Sequence, residues 1–411
     1  MYALLFADAG LSTARISTLF VVWSVVSFVF EVPSGAWADA WSRRRLYAIG
    51  AFLTAAGFAS WTFWPTYAGF ALGFVLWGLG GALCSGTLEA LLYDELGGGG
   101  AYARVAGRGG TVAILAMLTA TVLAAPSFAL GGYLLVGVLS VAVRAAGGWL
   151  ALGFHEAGPE RTGPGETVPD AMGVEEVGHE ERASEGAARE ESGRAETARD
   201  RSDRAETASE VTAREEAAGS GYLVTLRAGL GEVRGSRRVA WAVAIAALVP
   251  GFTALDEYLP LLSRAAGAPT AVVPLLFALP ALAMAVGSTL AGRWATIAAP
   301  RLAAALATAA VLLAVGALSG RLAGMLPVAL AFGILQFAII VTETRLQESI
   351  TGAARATVLS VAGFASEVFA VLLYAVFGAG AALTSVPALF ALCALPLLAT
   401  AYAVRRRLPG S

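Results

Sequence analysis

The chain has 411 residues, of which 57% are hydrophobic and only 14% are charged, and its mean hydropathy is +0.70. This composition excludes an ordinary soluble protein, in which about a quarter of the residues are charged. The formal charge of −2 combines two unlike parts, because residues 155–220 hold 18 of the 30 acids and eight of the 28 bases, a net of −10. The other 345 residues carry 20 bases and 12 acids, a net of +8, and have the composition of an integral membrane protein.

The few Cys and His residues are placed where neither a disulfide framework nor a zinc site is expected. Cys84 and Cys393 lie in separate apolar segments, and both His155 and His179 lie in the charged segment. Every base is Arg, so the chain has no Lys for a nucleotide-binding P-loop, and the lack of both Lys and Asn indicates a GC-rich bacterial genome. We therefore expect no metal, no cofactor and no nucleic-acid partner.

The apolar runs predict a series of membrane helices. About 20 apolar residues are needed to cross a bilayer core. Residues 1–10 form a first apolar run that rises only about 15 Å, half a bilayer, and we expect a start codon assigned too late rather than a short helix. Eleven longer runs follow it, at residues 16–37, 46–64, 67–93, 105–124, 128–154, 239–262, 270–293, 302–320, 322–346, 355–377 and 381–404.

The Arg residues predict the orientation of these helices. If the helices alternate in direction, most Arg residues at the junctions fall on one side of the membrane, including the three that close the chain at 405–407. By the positive-inside rule that side is cytoplasmic. We therefore predict a multi-pass protein of the inner (plasma) membrane with its C-terminus and central charged segment in the cytoplasm.

The central segment divides the chain into two similar halves. Residues 155–221 contain no Phe, Trp or Tyr and are rich in charged residues, which predicts a disordered linker. It would join an N-terminal six-helix bundle at 1–154 to an interfacial helix and a C-terminal six-helix bundle at 222–411. Three pairs of matching residues, separated by 251 to 254 positions, predict a parallel repeat: Gly35 and Gly287, Glu89 and Glu343, and Arg104 and Arg355.

The cytoplasmic end of the second span carries the most informative motif. Gly35 is followed by Asp39 and then by the basic pair Arg43 and Arg44. This pattern resembles the loop 2–3 signature of the major facilitator superfamily. The resemblance implies an all-α integral membrane fold of two six-helix bundles, and a cytoplasmic latch in which Asp94, at the foot of the fourth span, is the acidic partner.

The resemblance covers the whole chain but has departures. The second copy of the signature, from Gly287 to Arg293, lacks the Asp. The fourth span lacks the Arg of many proton-coupled members, and its many glycines are interpreted as sites of helix packing. The fifth span lacks the Gly-Pro pair of drug/proton antiporters. These departures leave the kind of transport open.

Charged residues inside the spans give the candidate sites, since each is costly at bilayer depth unless paired or hydrated. Structural pairing, gating and direct handling of substrate or protons remain open for each of them. Arg144 and Glu367 are the deepest. The candidates for a proton or substrate cavity are Glu31, Glu89, Arg144, Glu343, Arg345 and Glu367, and those for an outer gate are Asp8, Asp256 and Glu257.

Glu367 is the first candidate for a proton-carrying group, because proton coupling requires a carboxyl group that can bind and release a proton inside the membrane. Arg144 is either its counter-ion or a site for an anionic substrate. Aromatic residues such as Trp23, Phe28 and Trp61 are interpreted as lipid-facing or interfacial anchors, some of which can also line a cavity.

Together these observations predict a monomeric secondary transporter that works by alternating access. The resemblance and the buried acids favour export of a small lipophilic molecule coupled to proton entry. Two alternatives remain open: a proton-coupled importer or uniporter of a polar metabolite, and a non-transporting receptor or scaffold that signals through the acidic linker. An enzyme is disfavoured because no His lies in any span.

Overall fold

The computed structural model describes residues 1–40, 42–85, 87, 91, 99–153, 231, 235–294, 296–350 and 355–408. All regular structure within these residues is helical, and ten helical segments are long and apolar enough to cross a membrane. The prediction of an all-α integral membrane protein is therefore confirmed. The predicted linker at 155–221, and most of the predicted interfacial helix, lie outside the described residues.

The N-terminal half begins with a short helix and a tight turn. Gly10 lies in this turn with φ of 88°, a left-handed conformation that glycine adopts at little cost. The side chain of Ser42 caps the helix that starts at Arg43, and that of Thr66 caps the next one. The helices are α1 Tyr2–Asp8, α2 Thr13–Ala40, α3 Arg43–Phe63, α4 Tyr67–Cys84 and α5 Gly99–Leu152.

Helix α5 contains two of the predicted spans. The backbone leaves helical angles at Gly131 and Gly132, and Gly132 has a φ of 59°, so the helix kinks there. The sequence predicted the break at 125–127, but Pro126 stays within the helix. The two glycines, which lack a Cβ, make the turn instead.

The C-terminal half consists of long helices and two short 3-10 helices, of which the first interrupts the seventh predicted span. Its elements are α6 Arg237–Gly251, the first 3-10 helix Phe252–Tyr258, α7 Leu259–Ala265, α8 Val273–Arg293, α9 Ala299–Leu318, the second 3-10 helix Leu322–Gly324, α10 Met325–Ser349, α11 Arg355–Gly380 and α12 Val386–Arg407.

The predicted span 239–262 is therefore not one continuous α-helix. Pro250 and Pro260 flank the first 3-10 helix, and neither has an N–H to donate to the carbonyl group four residues earlier. For Pro260 that carbonyl belongs to Asp256. The broken segment consequently carries Asp256 and Glu257 on irregular backbone inside the protein.

Small residues allow the helices of each half to approach closely. α3 packs against α4 and α5, and α8 packs against α10. A Cβ added at Gly57 would lie 2.7 Å from the carbonyl oxygen of Gly73, and one added at Gly333 would lie 2.7 Å from that of Ala283. Gly78 likewise faces α2. The prediction that the glycines of the fourth span serve helix packing is confirmed for Gly73 and Gly78.

The two halves belong to one compact unit, formed by residues 1–157 and 232–411. They meet along two helix pairs, α2 with α11 and α5 with α8, and α1 also contacts α7. The hydrophobic core continues across this boundary, with Phe20 of α2 against Tyr258 and Tyr374 of the C-terminal half. The site described next lies along the same boundary.

Candidate functional site

The described residues of the two halves enclose two cavities between them. The larger has a volume of about 840 Å³ and is lined mainly by apolar residues of α5, together with Arg144 and the start of α8. The smaller has a volume of about 360 Å³ and is enclosed by α2, by the segment from Pro250 to Glu257 and by α11. Asp256 and Glu257 line both cavities, so the broken seventh segment separates them.

The two adjacent acids have different surroundings. The Glu257 carboxylate accepts a hydrogen bond from the Tyr2 hydroxyl of α1, which ties the N-terminal half to the broken segment. The Asp256 carboxylate accepts a hydrogen bond from the backbone N–H of Glu257, and no side chain among the described residues donates to it. Its carboxyl group is enclosed by protein yet keeps accessible surface, because that surface faces the cavities.

Glu367 of α11 is joined to the opposite half. Its Oε2 accepts a hydrogen bond of 2.9 Å from the Ser24 hydroxyl of α2. Both residues line the smaller cavity, and Glu31 of α2 completes a set of four carboxyl groups in that lining. A contact between the halves therefore involves an ionisable group that also faces the cavity.

Aromatic rings form part of the wall of the smaller cavity. Trp23 stacks on Trp77 with ring centroids 5.0 Å apart, and Phe28 packs against Phe364 at 5.1 Å. The interpretation of these aromatics as membrane anchors is wrong for Trp61, which is only 5% exposed in the core, because its indole donates to the Phe70 carbonyl and packs among other rings. Trp23 and Phe28 line the cavity.

An ion pair joins the halves at the ends of α1 and α7. Arg264 Nη1 and Nη2 donate to the Asp8 carboxylate at 2.5 and 2.9 Å, a bidentate geometry, and the Tyr133 hydroxyl donates to the same carboxylate. Both charged side chains keep about a third of their surface exposed. Asp8 thus lies apart from the two cavity acids that were grouped with it as outer-gate candidates.

A second contact between the halves is buried, and it joins residues that are close in sequence to Asp8 and to Arg264. The hydroxyls of Ser17 and Tyr258 are 2.7 Å apart, and the Tyr258 ring stacks on Phe377 at 3.8 Å between centroids. A Cβ added at Gly378 would lie 2.7 Å from the Cβ of Ser17. The halves are therefore in van der Waals contact between α2, the first 3-10 helix and α11.

The remaining charged candidates lie elsewhere. Arg144 lines the larger cavity, whereas Glu367 lines the smaller one, and the described residues include no ion pair between them. Arg345 is buried, and its guanidinium donates to the Ile297 carbonyl, while Nη1 has no hydrogen-bond partner among the described residues. Glu343 is exposed, and neither Glu343 nor Arg345 belongs to the described lining of the two cavities.

The predicted cytoplasmic latch is described only in part. Gly35 and Asp39 belong to the last turns of α2, but their surroundings are not among the described features, and Glu89 and Asp94 lie outside the described residues altogether. Arg43 and Arg44 lie in the first turn of α3.

Sequence reasoning missed the hydroxyl groups that bind the acids, above all Tyr2 and Ser24. A signal was present for Ser24, because Ser24, Ser27 and Glu31 are spaced i, i+3 and i+7 and so share one face of a helix. A polar stripe on an otherwise apolar membrane helix indicates a face turned towards a cavity. No comparable pattern marks Tyr2.

A membrane-embedded bundle of two helical halves, with ionisable groups in the cavities between them, defines a membrane transporter of the secondary type. The sequence profile of the Major Facilitator Superfamily matches residues 1–373, and the chain belongs to that superfamily. The predicted membership is thus confirmed, and members of this superfamily are in general transporters rather than enzymes.

Solved structures of transporters share the fold. A mutant of the nucleoside transporter NupG superposes with a TM-score of 0.65 at 13% identity, covering 98% of this chain and 93% of that one. A D-xylose-proton symporter gives 0.62 at 14% identity, covering 100% and 92%. A bacterial homologue of the human lysosomal transporter Spinster, inward-facing and occupied, gives 0.60 at 16%, covering 99% and 90%. No curated protein sequence matches significantly.

Proposed function

We propose that the protein exports a small lipophilic molecule in exchange for protons by alternating access of the two halves. The observation that carries this proposal is the position of Glu367, which faces a cavity between the halves and at the same time accepts the Ser24 hydrogen bond across them. A proton that binds to this carboxylate would change the contact between α2 and α11. Proton binding and movement of the halves would therefore be linked.

The larger cavity supports a lipophilic substrate. Its wall is formed mainly by apolar side chains, with a few hydroxyl groups, Arg144 and the two acids Asp256 and Glu257. Apolar walls with a few polar groups are typical of sites that bind small organic molecules. Arg144 is proposed to bind an anionic group there, since Glu367 lines the other cavity.

The proposal is tested in proteoliposomes with an imposed pH gradient. A fluorescent lipophilic compound should be moved against its concentration gradient by the wild-type protein. Glu367→Gln should abolish this proton-driven movement and still permit exchange of substrate down its gradient, because the neutral amide cannot bind and release the proton. Glu348→Gln, which changes an exposed acid outside both cavities, is the matched control. Full proton-driven activity in Glu367→Gln would reject the assignment.

Import of a polar metabolite is the second candidate function. It is favoured by the hydroxyl groups in the wall of the smaller cavity, from Ser24, Ser27, Thr253 and Ser366. Two of the similar structures are a nucleoside transporter and a D-xylose-proton symporter. Uptake of a sugar or nucleoside driven by an inward proton gradient, without movement of lipophilic compounds, would support this candidate over export.

We further propose that the protein is a monomer in the inner membrane and that its C-terminus lies in the cytoplasm. The segment 155–221, which would join the bundles at 1–154 and 222–411, is proposed to lie in the cytoplasm as well. The support is the Arg-rich side of the predicted topology. Gly35, Asp39, Arg43, Arg44 and Asp94 would then form a latch on the cytoplasmic side. Labelling of a cysteine introduced at Ser411 in intact and in permeabilised cells tests the orientation.

A further inference from the structure

Arg345 is a buried cation near the end of α10. It lies one turn before the last residue of that helix, and only 8% of its surface is exposed. Its guanidinium donates to the Ile297 carbonyl, while Nη1 has no hydrogen-bond partner in the described part of the chain. No acid among the described residues forms an ion pair with it, and Glu348, three positions further on, is exposed. A buried charge without an opposite charge is costly, so this point favours an anion.

The guanidinium of Arg345 lies at the start of α9. Ile297, to whose carbonyl it donates, directly precedes Ala298, the N-cap of the 20-residue helix Ala299–Leu318. No side chain caps this helix, and Pro300 has no N–H. Within the described residues, the N–H groups of Ala298 and Ala299 have no acceptor. A helix N-terminus carries a partial positive charge and binds anions through such N–H groups, so two positive groups meet here.

The sequence around this point supplies no negative charge. Residues 258–342 contain no Asp or Glu, whereas Arg293 ends α8 and Arg301 lies in the first turn of α9. In the predicted repeat of the two halves, Ala291 takes the place of Asp39, and it is fully buried. The segment that Arg345 contacts therefore offers it no carboxylate.

We infer that the start of α9 and Arg345 form a binding site for a phosphate group. One phosphate oxygen would accept from the N–H groups of Ala298 and Ala299, and a second would accept from Arg345 Nη1 after a rotation of that long side chain. Arginine and helix N-termini are both well suited to phosphate, which has enough oxygen atoms to bind the two together. Ala298 and Arg301 are exposed, so the phosphate can belong to a lipid headgroup or come from solution. The site lies within the C-terminal half and does not depend on the proposed transport function.

Calorimetric titration of the purified full-length protein in detergent tests the inference. Dioctanoylphosphatidic acid and inorganic phosphate are the probes, and dioctanoylglycerol is the control with the same acyl chains and no phosphate. Binding of the lipid probe alone would support the site with a lipid headgroup as its ligand. Binding of inorganic phosphate, alone or in competition with the lipid, would support it with free phosphate as a ligand. Binding of neither probe, or equal binding of dioctanoylglycerol, would overturn the inference.

A substitution of the buried arginine locates the site. Arg345→Gln should weaken binding of the phosphate probe by about tenfold or more, because a charge-assisted hydrogen bond contributes about that factor. Arg238→Gln, which removes an exposed Arg from the start of α6, is the matched control and should bind as the wild type does. Elution volume and melting temperature show whether each variant is folded. An equal loss in both variants, or unchanged affinity in folded Arg345→Gln, would reject the site.

A second variant tests the helix end and leaves Arg345 in place. Ala298→Asp would cap α9 and bring a carboxylate to the guanidinium, so it should raise the melting temperature without phosphate and abolish binding of the phosphate probes. Ala298→Asn caps the helix without adding a charge, and it should bind the probes more strongly than Ala298→Asp does. Undiminished binding by Ala298→Asp would place the phosphate elsewhere and refute the inference.

Discussion

Asp8 and Arg264 are 256 positions apart in the chain and form a bidentate ion pair between the halves. Tyr133 donates to the same carboxylate, so three parts of the chain converge on Asp8. The side chains of the pair remain partly exposed, at 40% for Asp8 and 32% for Arg264. An ion pair in such a position contributes little to stability but fixes which surfaces face each other.

A double-mutant cycle measures this pair. Asp8→Asn, Arg264→Gln and the double variant should show a coupling energy of about 1 kcal/mol or less, because solvent screens a partly exposed pair. The measurement is the melting temperature in detergent at low and high salt, and the coupling should shrink with salt. Strictly additive single effects at low salt would mean that the pair does not form in solution.

At the scale of single residues, the sequence predicted the acids of the cavity wall but not the hydroxyl groups that donate to them. A charge within an apolar run stands out at once, and Glu31, Asp256, Glu257 and Glu367 all line a cavity. A serine or tyrosine within such a run does not stand out, since both residues also occur where nothing polar faces them. The pairs Ser24 with Glu367 and Tyr2 with Glu257 join residues hundreds of positions apart, and only packing brings them together.

At the scale of helices, glycine positions set how closely neighbours approach. Gly57 of α3 and Gly73 of α4 face each other with no room for a side chain, because an added Cβ would lie 2.7 Å from a backbone oxygen. Gly81, on the same helix α4, has nothing within 4 Å of the position where a Cβ would be. The same residue type therefore has two different roles within one helix.

This difference predicts opposite results for two alanine substitutions. Gly57→Ala should destabilise the protein by about 1–3 kcal/mol, because the two backbones must move apart. Gly81→Ala should be neutral or stabilising by up to about 1 kcal/mol, since alanine favours a helix. Melting temperatures in the same detergent decide the matter, and an equal effect of both substitutions would contradict the packing.

The seventh segment shows where helix prediction from the sequence fails. Its apolar content predicts a continuous helix at 239–262, although Pro250 and Pro260 lie within it. In the structure a 3-10 helix, Phe252–Tyr258, replaces the middle of that helix and carries both cavity acids. Missing N–H donors at the two prolines explain the interruption, and the surrounding helices decide how the broken piece lies.

At the scale of the whole molecule, the two halves close on each other around Ser17 and Tyr258. Alternating access requires such a contact to open and close during transport. Gly378 of α11 faces Ser17 closely enough that a cysteine pair at these positions would bridge with only a small separation of the backbones. This contact can therefore be locked chemically.

A cross-link between the halves should stop transport. Ser17→Cys with Gly378→Cys, in a background of Cys84→Ser and Cys393→Ser, should lose transport on oxidation and regain it with a reductant. Each single cysteine variant in that background should keep its activity after oxidation. Full transport by the oxidised, cross-linked protein would show that the halves need not separate at this point.

Deletion of residues 160–215 separates a transporter from a receptor that signals through the charged segment. A transporter works through its helices and cavities, so the deletion should leave most transport activity in proteoliposomes. The control is a replacement of the same length by a Gly/Ser sequence, which keeps the reach of the linker. Loss of transport in both forms would give the segment a direct role.

By itself, the sequence determined that this chain is an all-helical integral membrane protein of the major facilitator type, and it showed which few charges lie within the apolar segments. Hydropathy and charge placement are properties of single segments, so they can be read without knowing what each segment contacts. Only the tertiary structure decided that α2, α11 and the broken seventh segment enclose one acidic, aromatic cavity. That cavity depends on helix rotation and on contacts between distant residues, and hydropathy specifies neither.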